Sequence, residues 1–354
     1  MSVEDGRTSA TLDAVALAAG VSRATASRVL TGSPRVSESA RDRVLRAAAS
    51  LSYVPNGAAR MLVTRRSDAV AFVVCEQEER FFSDPFFATV LKGVHRVVAA
   101  SRRQLLFAVV AGEADREQLV RYAAGGHLDA AMFLSAHGGE TAPARLRERG
   151  VPVVLAGRPP SGVGEDLPHV DTDNVDGGRL ATQHLLDRGC RRLGLVTGPP
   201  DMASSQDRLA GWRRALDDGA GRGQEDARGT PAEVTALVAE GDYTTAGGHR
   251  ATAELLARMP DLDGVFASND LMAVGALTLL RERGLRVPED VAVVGYDDIP
   301  LATAVQPALT TVRQPLEELG REMATMVVTA LDGGVPASRG RALLPARLVV
   351  RDSA

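Results

Sequence analysis

Apolar residues near the N-terminus recur at helical spacing. Leu12, Val15, Ala16 and Ala19 fall at i, i+3, i+4 and i+7, which is one buried helix face. Gly20 follows and can end the helix in the left-handed conformation at little cost. Val21 plugs the corner, and Ser22 is a suitable N-cap for a second helix. There Ala26, Val29 and Leu30 point inward, leaving Arg23, Ala24, Ser27 and Arg28 on the outer side. A third helix starts after Val36 at Ser37, with Val44, Leu45, Ala48 and Leu51 as its apolar face. Residues 55–64 hold a weaker pattern, with Asn56 as N-cap, and are too short for a stable helix alone.

From residue 69 the pattern changes. Apolar runs at 69–74, 104–110, 130–134, 151–155, 193–197, 264–267 and 291–294 read as strands. Between them, 85–100, 116–124, 142–149, 175–188, 208–217, 245–259 and 271–283 read as helices. Strands that are apolar throughout and alternate with helices indicate parallel sheets covered on both faces. Two such series predict two doubly wound α/β lobes behind a small all-α helix-turn-helix head. Residues 219–229 are glycine-rich without dinucleotide-binding spacing and read as a surface loop.

The 354-residue chain is long enough for two or three domains. Its net charge of −4 hides an asymmetry. Residues 1–66 carry ten arginines against five carboxylates, a net +5, which leaves −9 on the remainder. A basic head on an acidic body suits a DNA binder whose body must stay off phosphate. Cys75 and Cys190 lack metal or redox spacing and are expected to be reduced core thiols. There is no membrane-length apolar run, and the polar start lacks a signal core. A cytoplasmic protein without membrane partners is therefore expected.

The N-terminal residues resemble the lactose-repressor/galactose-repressor (LacI/GalR) family of bacterial transcription regulators. The match runs through Thr11-Leu12-Asp13-Ala14-Val15-Ala16, Ala19-Gly20-Val21-Ser22, Thr25, Ser27-Arg28-Val29-Leu30, Val36-Ser37 and Tyr53-Val54-Pro55-Asn56. It extends to the closing segment Leu344-Pro345-Ala346-Arg347-Leu348-Val349-Val350-Arg351. The resemblance implies a periplasmic-binding-protein-like body with three crossovers and a ligand between the lobes. On that basis 11–52 is the DNA-binding domain, 53–68 a hinge helix and linker, and 69–354 the effector-binding and dimerisation domain. The first lobe is expected at about 69–168 and 310–335, the second at about 170–306 and 338–354. Operator DNA, a second copy of the chain and a small molecule of sugar type are the implied partners. No leucine-heptad tail supports a tetramer.

Arg23 is the main candidate for base reading, since a guanidinium can donate twice to guanine. A phosphate contact is the plainer alternative, because most protein–DNA hydrogen bonds go to the backbone. Ser22, Thr25 and Ser27 suit phosphates, Ala24 suits a thymine methyl, and Arg28 suits either. The resemblance adds Asn56, Ala59, Arg60 and Leu62, with Leu62 as a minor-groove wedge.

Effector candidates sit at strand ends, where open α/β sheets bind ligands. They are Arg208, Asn269 and Asp297, a donor–acceptor set for hydroxyls, with Tyr243 and Phe87 as flat faces for a sugar ring. For Phe86 and Phe87, packing is the stronger reading for at least one. Asp270 reads better as a helix N-terminal charge, and Asp171 and Asp173 as ligand contacts or helix caps. The charged loop from Cys75 to Phe82 departs from the short polar link implied by the resemblance, so the first-lobe contribution is open. The alternatives are a sugar sensor without a DNA role and an α/β enzyme. No catalytic, metal or cofactor motif is present: the P-loop, nucleophile-elbow, zinc-helix and dinucleotide patterns are all missing.

Overall fold

A computed structural model of the chain describes residues 10–30, 35–53, 66–160, 164, 166–220, 234–334 and 340–354. It divides into two compact units, 1–67 and 68–354.

In the head, α1 (Leu12–Ala19), α2 (Arg23–Leu30) and α3 (Glu38–Ser50) close on one small core. Thr11 caps α1 by accepting from the Ala14 amide at 3.2 Å, and Gly20 ends it at φ 61°. Val15, Ala16, Ala19, Ala26 and Val29 are buried as expected. On α3 the buried residues are Ala40, Val44, Ala47 and Ala48, while Leu45 is 49% and Leu51 37% exposed. The expected face of α3 was thus rotated: small alanines let α3 approach α1, and the two leucines fall outside that contact.

The body holds two six-stranded sheets. The first lobe contains β1 (Ala69–Val74), α4 (Glu78–Ser83), α5 (Pro85–Ala100), β2 (Gln104–Val109), α6 (Glu113–Ala124), β3 (Ala130–Leu134), α7 (Ala142–Glu148), β4 (Val153–Ala156) and β5 (His169–Thr172). The chain then crosses into α8 (Asn174–Asp187), β6 (Arg192–Thr197), α9 (Ala203–Ala220), β7 (Thr235–Glu240), α10 (Thr245–Arg258), β8 (Gly264–Ala267), α11 (Asp270–Glu282), β9 (Ala292–Asp297), α12 (Leu301–Ala304) and β10 (Thr310–Arg313). It returns to the first lobe through α13 (Leu316–Leu331) and β11 (Arg341–Leu344), and crosses again to β12 (Arg347–Val349). The sheet orders are β11-β5-β4-β3-β1-β2 and β12-β10-β9-β8-β6-β7. The pairs are parallel except β10 with β12.

Period-two alternation explains why β1 is apolar throughout. Val70, Phe72 and Val74 join the core under α5 and α13, whereas Ala69, Ala71 and Val73 join the core on the opposite face. Such double coverage is what parallel sheets require.

The pairing moves three expected lobe boundaries. Strands β5 and β11 lie in the first sheet, and β10 lies in the second. The expected ranges had put 170–172 and 341–344 in the second lobe and 310–313 in the first. These strands are four residues long and directly adjoin the crossovers, so neither length nor periodicity assigns them to a side. Strand β7 and helix α4 were also not expected. Both cysteines are buried and unpaired, and burial pushes the Cys75 thiol well up. Among the described residues no helix is long and apolar enough to cross a membrane.

Candidate functional site

The outer side of the head is built by α2. Ser22 Oγ accepts from the Thr25 amide at 3.1 Å and lies 2.9 Å from Thr25 Oγ1, so this pair caps the helix. Along α2, Arg23 and Ala24 in the first turn and Arg28 in the last are exposed, and Thr25 and Ser27 are half-buried. Arg23 lies 3.4 Å from Asp13 at a largely solvated pair. Such a pair is weak, so it steers the guanidinium without fixing it. Asn56, Ala59, Arg60 and Leu62 lie outside the described residues.

The second site is a cleft in the body of about 680 Å³, its open mouth included. Four of the five expected effector residues line it: Arg208, Tyr243, Asn269 and Asp297. Phe87 does not. It is fully buried in the first-lobe core, and its neighbour Phe86, 5.3 Å away edge-on, faces the cleft instead. Asp84 caps α5, and with the helix started there the inward stripe runs through Phe87, Val90, Val94 and Val98.

Arg208 is placed by tight packing of α9 on α8. A Cβ on Gly178 would stand 2.3 Å from the Arg208 carbonyl oxygen. Arg208 Nε donates to Asn174 Oδ1 at 2.9 Å, Nη1 donates to the Ser268 carbonyl, and Nη2 is 3.9 Å from Asp297 Oδ1. Its guanidinium carbon stacks 3.8 Å from the Tyr296 ring centroid. Asp297 ends β9 at φ 107° and accepts from Gln314 Nε2 at 2.6 Å. Burial pushes its carboxyl up to about 7, against the pull of Arg208, and Asp84 adds to the rise. Tyr243 also has a positive φ, 64°. With Ser135 at φ 62°, three non-glycine residues in one cleft take this strained conformation, a clustering found at functional sites.

Asn269 has a more structural part than its position suggested. Its Oδ1 caps α11 at the Met272 amide, 2.9 Å, and its Nδ2 donates to the Tyr243 carbonyl at 3.0 Å. It therefore holds the Tyr243 loop as well as lining the cleft. Asp270 is a packing residue: its carboxylate accepts from Thr311 Oγ1 and the Ile299 amide. Asp173 caps α8 through the Asp176 amide. Asp171 lines the cleft and accepts from Asn174 Nδ2 and the Arg158 amide, both at 3.0 Å.

The residues that sequence reasoning missed come mainly from the first lobe and the crossovers: Arg80, Asp84, Ser135, Arg158, Asn174 and Gln314. Arg158 reaches across the lobes, donating to both Asp207 oxygens at 2.9 Å. His137 does the same, lying 3.3 Å from Glu76 Oε1 and 3.0 Å from Asp201 Oδ2. Only the unusual charge of the Cys75–Phe82 loop signalled that this side was distinct. Among the described residues no cluster of His, Cys, Asp and Glu could hold a metal.

Residues 11–56 match the model of bacterial regulatory proteins of the lacI family, and residues 182–354 match a periplasmic binding protein-like domain. The HTH-type transcriptional regulator CelR of Thermobifida fusca is 46% identical over 97% of this chain and 98% of its own length. This chain belongs to the lacI family. The ribose operon repressor of Halalkalibacterium halodurans is 30% identical over 97% of the chain and 96% of its own length. Among solved structures, a CelR–cellobiose complex superposes with a TM-score of 0.74 at 43% identity, covering 98% of this chain and 100% of the other. A lac repressor dimer bound to operator and the anti-inducer ONPF gives 0.80 at 26% identity, covering 98% and 99%. As a lacI-family member the chain is a DNA-binding transcriptional regulator with a small-molecule receptor body.

Proposed function

We propose that the protein is a homodimeric repressor whose operator affinity is set by a neutral saccharide of the cellobiose class in the body cleft. The observation that carries the reading is the buried relay Asp171–Asn174–Arg208–Asp297–Gln314, which presents donors and acceptors side by side. Hydroxyl-rich ligands need that mixture. Charge argues for a neutral one. The three lining arginines are each engaged: Arg80 with Glu76, Arg158 with Asp207, and Arg208 with Asn174, the Ser268 carbonyl and Asp297. A phosphorylated sugar would instead meet Asp84, Asp171 and Asp297 without an uncommitted cation among them. The cellobiose held by the CelR structure supports the same class.

In the head, Arg23 reads a base edge, Thr25, Ser27 and Arg28 hold phosphates, and Ala24 leaves room for a thymine methyl. Leu62, with Asn56, Ala59 and Arg60, serves the central minor groove. Arg23→Ala costs about 1–3 kcal/mol on the cognate site and relaxes preference at one base pair per half-site. A uniform loss across sequences would assign Arg23 to phosphate.

Calorimetric titration with cellobiose, glucose and glucose 6-phosphate tests the effector class. Cellobiose is expected to bind and to shift operator affinity in a gel assay, by the factor with which operator shifts cellobiose affinity. A preference for the phosphate ester would overturn the neutral-sugar reading. We assign no turnover to the site, and cellobiose incubated with the protein is expected to be recovered intact.

A further inference from the structure

We infer that Arg80 is the first-lobe specificity residue of the cleft, and that its Nε–H reads an oxygen of the saccharide. The inference rests on the neutral-saccharide reading above and says which first-lobe group recognises that ligand.

Arg80 sits on α4, in the charged segment that follows β1. Its Nη1 is anchored on Glu76 Oε1, and the same oxygen accepts from Ser135 Oγ. Burial pushes the Glu76 carboxyl up, but His137, Arg80 and Ser135 together hold it below the ordinary value, so it stays an anion fit to keep an arginine. The guanidinium carbon lies 4.8 Å from the Tyr243 ring centroid, on the second lobe, and 5.7 Å from that of Phe87, on the first. A cation between two ring faces is restrained in plane as well as position. One corner is thus tied to a carboxylate, and the flat faces to one ring from each lobe.

Nε remains. It is buried and has no hydrogen-bond partner, on a side chain that lines the cleft. A buried donor without an acceptor is costly, and nearly all such groups find a partner in protein, water or ligand. A saccharide in the cleft that displaces the atoms covering Nε brings hydroxyl acceptors to this place. An anionic acceptor would sit beside Glu76 and Asp84, so a neutral oxygen is the matched partner. Lysine could keep the charge and the Glu76 pair, but it has no donor at the Nε position. The fork of arginine is therefore what the site uses.

The test is calorimetric titration of the full-length protein with cellobiose, comparing the wild type with Arg80→Met and Arg80→Lys. Both variants are expected to bind cellobiose about 10- to 100-fold more weakly, the range for losing a hydrogen bond from a charged donor. The loss is expected to shrink for the one monodeoxy cellobiose that lacks the oxygen read by Arg80. Should Arg80→Met not fold, Arg80→Lys carries the comparison. Unchanged or tighter binding by the folded variant would overturn the inference and make Arg80 a filler that the sugar displaces. A wild type that binds neither cellobiose nor glucose would overturn the saccharide reading, and this inference with it.

Discussion

The two sides of the cleft are built differently. The second lobe contributes polar groups at strand ends: Asp297 closes β9, Asn269 follows β8, and Tyr243 follows β7. Their places follow from the doubly wound topology, which gathers the carboxyl ends of the strands at one edge. The first lobe adds to its own strand-end groups a residue from a short helix. Arg80 is on α4, Ser135 follows β3, and Arg158 follows β4 and spans to Asp207. A sheet edge fixes where a side chain stands, whereas an insertion decides what stands there. Under the proposed saccharide reading, the difference assigns the features common to saccharides to the second lobe and the choice among them to Arg80 of the first.

The comparison is broken most severely by exchanging core for cleft in the first lobe. Phe87→Ala is expected to lower unfolding free energy by about 3–5 kcal/mol, the range for emptying a buried aromatic site. Phe86→Ala is expected to cost clearly less, because that ring is only half-buried. Denaturant unfolding of both variants measures this; equal losses would mean that the two rings share the core.

Next in size is Asp297→Asn. It keeps the shape but replaces an acceptor with a donor in a buried hydrogen-bonded relay, and is expected to weaken cellobiose by about 2–3 kcal/mol. Operator binding without sugar should persist. Equal cellobiose affinity in calorimetry would remove Asp297 from the recognition set and leave the first lobe as the main grip.

The pH dependence separates the lobes further. Burial holds the Asp297 carboxyl up to about 7, so it is largely protonated at pH 6 and ionised at pH 8. Sugar hydroxyls donating to the carboxylate favour the ionised form, and binding below pH 7 must release a proton. Affinity is therefore expected to fall by about tenfold per pH unit below 7 as the group becomes protonated. The slope should vanish in Asp297→Asn. A slope retained there would trace it to another group.

Much of the fold was legible because its signals are periodic. Leu12, Val15, Ala16 and Ala19 mark one helix face, and the all-apolar Ala69–Val74 marks a strand covered on both sides. Asn269 and Asp297 could be placed together because each sits at a recognisable strand or helix end, whereas Arg208, inside α9, came from the family resemblance. What stayed hidden has no period. Residues 169–172 and 341–344 are too short to show which sheet they join, since that depends on pairing partners far along the chain. Arg158 and Asp207 are 49 positions apart, and nothing local in either predicts a bridge between lobes. Phe86 and Phe87 are adjacent aromatics, and the N-cap at Asp84 sets the helix phase that decides between them. Arg80 lay in the one stretch that looked foreign, but its charge alone did not say whether it turned inward.

The smallest effect concerns how the two sides are held together. His137 spans Glu76 in the first lobe and Asp201 in the second, and both carboxylates, Glu76 foremost, hold its pKa above the usual histidine value despite the opposing cost of burial. A histidine raised on folding contributes stability that is fully present below its unfolded value near 6.5. That contribution is lost as pH rises through the higher folded value. Asp201 is 45% exposed at its side chain, so the pair is screened by solvent and worth at most about 1 kcal/mol. Asp201→Asn keeps the side chain's size and one acceptor but removes the charge. The variant is expected to lose a degree or two of melting temperature at pH 6, and progressively less as pH rises through the raised folded value and the wild-type histidine becomes neutral. Cellobiose affinity at pH 6 should move by about twofold, through the closing of the lobes rather than through any contact. The Arg158–Asp207 bridge contains no histidine, so the loss in its neutralised form, Asp207→Asn, should not fall away in the same manner as pH rises. If the two variants showed the same pH dependence, the lobes would be closed by one undivided interface, and His137 would have no separate part in it.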